Sequence, residues 1–184
     1  FYPTSLTEWR KWLEENHLSK QSVWLVFHTK ASGKFSLSWS EAVDVALCFG
    51  WIDSKKIKID HETSHQFFSK RKPNSTWSKI NKDKVKQLIE SGQMMQAGYE
   101  SIEAAKKNGS WSILDEVEDL IVPSDLEKAF QIHKGSKDYF LSLSKTIRKM
   151  MLQWIVLAKR PETRQKRVDE IAVAAGQKKK PKQL

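Results

Sequence analysis

The stretch FGWIDSKKIKID, residues 49–60, decides the fold of the first half of the chain. Up to Gly50 the apolar residues have a helical spacing. After it Ile57 and Ile59 alternate with lysines, in the period of two that is typical of a strand with one solvated face. A polar turn then leads into a second β-rich run, residues 65–72. We therefore predict a β-hairpin here.

The register of this hairpin follows from where the turn is centred. A turn centred near Glu62 sets Ile57 opposite Phe67 and Asp53 opposite Arg71. The side chains of a strand alternate between two faces, so a slip of one residue would move each of them to the other face.

The turn itself contains HETSH, residues 61–65, which has the spacing of the H-E-x-x-H zinc motif. That chemistry needs a helix, because the two histidines must share a face while the glutamate polarises a metal-bound water. Here the run follows an alternating strand, and no third ligand comes after it. We interpret HETSH as a hairpin tip. We predict no metal site, and no cofactor either, since the chain has no glycine-rich phosphate loop.

Outward from the hairpin, three capping boxes predict helix starts at Ser5, Ser38 and Ser124. The β-branched and aromatic run 22–30 predicts a buried strand, and helical apolar stripes fill the chain after Pro73. The predicted fold class is α+β: a small antiparallel sheet with flanking helices in the N-terminal half and a helical C-terminal half. We place the division into regions 1–112 and 113–184.

Composition limits the classes of function. The net charge is +10, and most of the positive excess follows residue 135, ending in the basic tail 177–184. Such a tail is typically disordered and aids solubility, with binding to nucleic acid or to an acidic membrane surface as the alternative. The single Cys48 excludes an internal disulfide and is predicted to be a core thiol. No apolar run approaches the roughly 18 residues of a membrane span, so we expect a cytoplasmic protein.

The candidate site combines the hairpin with the start of the following helix. Helix N-termini carry unpaired N–H groups and the positive end of a dipole, which attract anions. Arg71 is predicted to hold an anion there, with Asp53 orienting it. The alternative is that these residues have structural roles only: Ser75 or Ser78 caps the helix, Arg71 pairs with Asp53, and Trp51 and Trp77 belong to the core. The predicted anion pocket comprises Trp51, Asp53, Arg71, Lys72, Ser75, Trp77, Ser78 and Asn81.

A second basic cluster lies in AKRPETRQKRV, residues 158–168. Its cations have helical spacing, and Glu162 and Glu170 can neutralise part of the charge by i,i+3 or i,i+4 contacts. Strong tracking of phosphates is therefore not expected. The cluster comprises Lys159, Arg160, Arg164 and Arg167.

Three ordered blocks, EAVDVALCFGWID, FFSKRKPNSTWSKIN and AKRPETRQKRV, resemble the YdeI/OmpD-associated family, whose C-terminal part is called the bacteriocin-protection domain. The resemblance spans residues 20–175. It implies a stress or antimicrobial-resistance association in bacteria, without a known substrate or catalytic residue, and its name suggests an envelope setting. The matching positions are Gly50, Trp51, Asp53, Arg71, Pro73, Ser75, Trp77, Ser78, Asn81, Lys159, Arg160, Glu162, Thr163 and Arg164.

Three functions stay open from the sequence. The first is a protein that binds a small anionic ligand or a protein partner through the pocket at Arg71. The second is an enzyme acting on a small molecule with Asp53 as acid or base. The third is a basic adaptor for nucleic acid or an acidic membrane surface.

Overall fold

The computed structural model describes residues 1–182 and divides the chain into two compact units. The first unit is Phe1–Trp111, and the second begins at Ser112. The first combines a three-stranded antiparallel sheet with helices, and the second is helical in its described part. The predicted α+β fold class is confirmed.

The first unit holds all the strands of the described residues. A turn of 3-10 helix, Lys30–Ser32, follows the first strand. The other elements, in chain order, are α1 (Leu6–Asn16), β1 (Ser22–His28), α2 (Trp39–Cys48), β2 (Trp51–Lys58), β3 (Thr63–Lys70), α3 (Lys79–Glu90) and α4 (Gln96–Lys107).

The sheet has the order β1-β3-β2, so β3 is the central strand. The hairpin of β2 and β3 is present, and residues 61–65 form its turn and the start of β3 rather than a helix. The register differs from the prediction: Ile57 lies opposite His65, and Asp53 lies opposite Phe68. The turn closes earlier than predicted, because the Asp60 carboxylate accepts two backbone N–H groups of the turn. An irregularity between Asp53 and Lys56 then shifts the pairing by one more residue.

One face of the sheet packs on helices. Leu25, Phe27 and Phe68 point to that face and are buried together with Trp9 and the apolar side of α2. Cys48 belongs to the same cluster, as predicted, and its burial raises the pKa of the thiol despite the nearby charge of Arg10. The core therefore fixes which residues of the hairpin face inward.

Two of the three predicted capping signals act at helix starts. Ser38 forms a full capping box with Glu41, and Ser5 accepts the Glu8 N–H while the Glu8 carboxylate bonds to Thr4. Ser124 is not a cap: it is the first residue of its helix, and Pro123 occupies the cap position. Pro123 has the extended backbone of a helix boundary, and no side chain caps the N–H groups of the first turn.

The second unit has its own buried cluster, which includes Leu126, Phe140, Met151 and Val168. The first position of its last helix is Pro161, as the sequence predicted. Its helices are α5 (Asp115–Glu118), α6 (Ser124–Ile132), α7 (Ser136–Ser142), α8 (Lys145–Val156) and α9 (Pro161–Gly176).

The basic tail differs from the prediction of disorder as far as it is described. The backbone N–H groups of Lys178 and Lys179 bond to the last turn of α9, and Pro181 is buried. Carbonyls at a helix end need donors, and the returning chain supplies them. The predicted tail also includes residues 183–184, which lie outside the described residues.

No helix within residues 1–182 is both long and apolar enough to cross a membrane.

Candidate functional site

Arg71 leaves the end of β3 and is anchored on both its backbone and its side chain. Its backbone N–H donates to the Gly50 carbonyl over 2.9 Å. The guanidinium carbon lies 3.6 Å from the centroid of the Trp77 ring, and Nη2 donates to the Thr76 carbonyl. A planar cation stacked on an indole is a favourable pair. The guanidinium is therefore held in a fixed orientation.

Two nitrogens of this guanidinium have no protein partner. Nε and Nη1 of Arg71 are both buried and make no hydrogen bond. Burial lowers the pKa of the Arg71 guanidinium to about 10, and the charge of Asp53 acts in the opposite direction. The group is still protonated at neutral pH. It thus carries a desolvated positive charge with two unused donors.

The loop after Arg71 is fixed by the end of α4. The Pro73 carbonyl accepts hydrogen bonds from the Asn108 amide and the Ser110 hydroxyl. At the far end of the loop, Ser78 caps α3 by accepting the Asn81 backbone N–H over 3.3 Å. Ser78 thus has the capping role that was the alternative to anion binding for this residue.

A cleft of about 290 Å³ opens beside Arg71. Gly50 lines it in a left-handed conformation (φ 69°), and a Cβ there would lie 2.8 Å from the Ala97 carbonyl oxygen. Only glycine fits this turn and this approach to α4. The cleft is lined by His17, Leu18, Phe49, Gly50, Lys70, Arg71, Pro73, Ala97, Glu100, Ser101 and Ala104.

Of the predicted pocket residues, only Arg71 lines this cleft. Trp51 and Trp77, which were predicted to belong to the anion pocket, are completely buried in the core of the first unit, so their rings are not open to a ligand. Both indole N–H groups lack a hydrogen-bond partner. Lys72 is exposed, and Ser75 is half-buried in the loop.

Asp53 makes no hydrogen bond to Arg71, so the predicted role of Asp53 in orienting that residue by direct contact is not observed. Its Oδ2 accepts from Trp39 Nε1 over 2.8 Å and from Gln66 Nε2 over 3.1 Å. Gln66 is buried, and Asp53 lies opposite Phe68 on the core side of the sheet. The carboxylate therefore ties α2 to the hairpin and reaches Arg71 only through its charge.

The second basic cluster divides into structural and free members. Arg164 pairs with Asp125 through Nε (2.7 Å) and Nη2 (3.2 Å), and Arg167 donates to the Trp154 carbonyl while lying over the Trp154 ring. Lys159 and Arg160 are exposed at the start of α9. Two of the four cations thus hold helices of the second unit together.

The cleft includes residues that the sequence analysis did not select. Lys70, Glu100 and Ser101 contribute polar side chains, and His17 closes the end nearest α1. Glu100 and Ser101 lie about thirty residues after Arg71 in the chain. No local sequence pattern predicts that α4 lies next to the end of β3, so these lining residues can be identified only from the folded structure.

The first unit is thus an α+β module with a cleft built around a buried arginine. The chain belongs to the family described as a domain of unknown function (DUF8412), whose model matches residues 1–101. Residues 119–178 match the family described as bacteriocin-protection, YdeI or OmpD-associated. The resemblance found in the sequence is confirmed for that C-terminal part, while its first two blocks fall in the separate N-terminal family. No curated protein and no solved structure matched the chain.

Proposed function

We propose that the cleft beside Arg71 binds a small anion. The observation that supports this is a buried guanidinium with two nitrogens, Nε and Nη1, that have no hydrogen-bond partner. A buried charge without a partner is costly, and bonds between a guanidinium and a carboxylate or phosphate are short and strong. An anion that enters from the cleft and reaches these two nitrogens would remove that cost.

The size of the cleft and the polar side chains that line it limit which anions can bind there. The volume of about 290 Å³ suits inorganic phosphate or a short carboxylate rather than a nucleotide. Lys70 adds positive charge at the rim, although its Nζ already donates to the Leu18 carbonyl. The Ser101 hydroxyl is a further donor, and the Glu100 carboxylate disfavours ligands with several charges.

The name of the C-terminal family supports a protective role in bacteria. That family is described as bacteriocin-protection, YdeI or OmpD-associated. We propose that the chain contributes to resistance against antimicrobial proteins, with the cleft at Arg71 as its ligand-sensing part. Expression in a bacteriocin-sensitive strain tests the role, since survival should rise with the native chain and fall back with Arg71→Gln.

The binding test compares two variants that lose the same charge. Arg71→Gln removes the proposed anchor, and Lys86→Gln removes an exposed cation of α3. We expect phosphate to raise the melting temperature of the native chain and of Lys86→Gln, and the effect to be lost in Arg71→Gln. Ligand at a hundred times its Kd stabilises a protein by about 2.7 kcal/mol.

The comparison between the variants is needed because phosphate stabilises many proteins by exclusion from their surface. An equal shift in all three proteins would contradict the proposal. Titration calorimetry with phosphate gives an independent readout, in which Arg71→Gln should show no heat of binding while Lys86→Gln behaves like the native chain.

A further inference from the structure

The outer face of the sheet, opposite the core, carries a row of half-exposed aromatic and aliphatic side chains. The register sets Trp24 opposite Phe67 and Val26 opposite His65, with Ile57 on the other side of His65. These five residues, which we call the aromatic face, are partly exposed or exposed. None belongs to a buried core cluster of the described residues.

The centre of the aromatic face is an aromatic pair covered by one cation. The Trp24 and Phe67 rings meet edge to face with centroids 4.9 Å apart. Lys55 Nζ lies 5.3 Å from the Trp24 centroid and 5.8 Å from the Phe67 centroid. Lys55 stands at the irregularity of β2, so the shifted pairing of that strand delivers its ammonium over both rings.

The charge of this surface has one sign. None of the five residues of the aromatic face is Asp or Glu, and Lys55 is the cation on them. Asp53, the carboxylate of β2, lies opposite Phe68 on the other face. Lys56 and Lys58 pair with Gln66 and Ser64, so the register turns both exposed side chains to the face of Asp53. The aromatic face thus combines flat apolar rings with one cation, Lys55, that lies over them.

We propose that the aromatic face binds single-stranded nucleic acid. Unpaired bases stack on exposed aromatic rings, and a lysine beside the rings, here Lys55, neutralises a phosphate next to a stacked base. A duplex keeps its bases stacked internally, so it cannot use Trp24 and Phe67 in this way. Two neighbouring rings accommodate about two bases, at the spacing of about 5 Å between adjacent strands. Lys55 moves from the rings to a phosphate when a base replaces it.

This surface is distinct from the anion cleft. Arg71 lines the cleft, whereas Trp24, Phe67 and Lys55 do not. A chain that fails to bind phosphate at Arg71 can still bind an oligonucleotide here, and the two proposals are therefore tested separately.

The test measures the fluorescence anisotropy of a labelled 12-residue oligo(dT) titrated with the full chain at two salt concentrations. We expect Lys55→Gln to weaken binding and to reduce the salt slope by about 0.7, the value for one phosphate contact on a single strand. Trp24→Leu should weaken binding about tenfold through lost stacking, and Trp24→Phe should restore most of it. Lys86→Gln, which removes an exposed cation outside both proposed sites, should bind like the native chain.

Four outcomes overturn the proposal. The first is no binding at low salt, and the second is equal affinity for a duplex of the same length. The third is an equal loss in Lys55→Gln and Lys86→Gln, which would reflect net charge alone. The fourth is a dimer of the native chain in sedimentation that dissociates in Lys55→Gln or Trp24→Leu, which would assign the aromatic face to a second copy. Circular dichroism of each variant separates a folding defect from a binding defect, and Lys55→Gln tests the surface without changing an apolar contact.

Discussion

At the scale of single residues, the ion pairs of the second unit explain the roles of its basic residues better than its net charge does. The Asp125 carboxylate accepts hydrogen bonds from Nε and Nη2 of Arg164 and from the backbone N–H of Leu126. Partial burial acts to raise the pKa of Asp125, but Arg164 and that N–H together lower it below its ordinary value. The cation that resembled part of a binding cluster in the sequence is therefore a structural partner.

This pair predicts a defined pH dependence of stability for Asp125→Asn. The folded-state pKa lies below the unfolded value of about 3.9, so the ionised carboxylate contributes stability above that pH and loses it as the pH falls through the lower folded value. We expect the substitution to cost about 1–2 kcal/mol at neutral pH, since a charge-assisted bond becomes a neutral one. Once the pH has fallen below the folded-state pKa of Asp125, the difference from the native chain should disappear.

Urea denaturation at neutral and acidic pH measures this difference. Asp119→Asn is the matched control, because Asp119 is exposed. Equal losses in both variants at neutral pH would show that the Arg164 pair contributes nothing beyond the charge itself.

At the scale of elements, the contact between α2 and α4 determines where the wall of the cleft stands. Gly98 lies in the first turns of α4, and a Cβ there would lie 2.5 Å from the Cys48 carbonyl oxygen and 2.9 Å from that of Leu47. The Cys48 carbonyl also accepts the Met95 N–H. The helix therefore approaches the end of α2 backbone to backbone.

Gly98→Ala should destabilise the chain even though alanine favours helix. The gain in helix propensity is about 1 kcal/mol, while forcing an extra carbon against two carbonyls typically costs about 1–3 kcal/mol. We expect a net loss in chemical denaturation and weaker phosphate binding, because α4 carries Glu100 and Ser101. Lys107→Ala, at an exposed position of the same helix, should leave both quantities nearly unchanged. A stabilised Gly98→Ala would show that α4 can move away from α2.

Elements were largely predictable from the sequence, and their contacts were not. The alternation of Ile57 and Ile59 with lysines and the capping box at Ser38 are local signals, and both indicated the correct element. The hairpin register was wrong because it depends on how Asp60 bonds within the turn. The lining residues of the cleft depend on α4 reaching the end of β3, which no spacing in the sequence encodes.

At the scale of the whole molecule, residues 1–182 form two buried clusters that share no residue. Seven tryptophans lie in the first unit, and Trp154 lies in the second. The separate family matches, residues 1–101 and 119–178, follow a similar division. Each unit thus has a core of its own.

Leu126→Ala should therefore weaken the second unit selectively. Leu126 is completely buried, and truncating a buried leucine costs about 2–5 kcal/mol. In hydrogen exchange followed by mass spectrometry we expect faster exchange in peptides after residue 112 and unchanged protection in β1, β3 and α2. Uniform loss of protection along the chain would instead show that both units open in one cooperative step.

Two glycines at the contact between α4 and the end of α2 have a consequence for ligand choice at the cleft. At Gly50 and Gly98 the backbone of α4 lies directly against the backbone at the end of α2, with no side chain between them. The wall of the cleft that carries Glu100 and Ser101 therefore cannot shift to accept a larger ligand. Anions of increasing length should then be rejected at a sharp size threshold instead of being accommodated with gradually declining affinity.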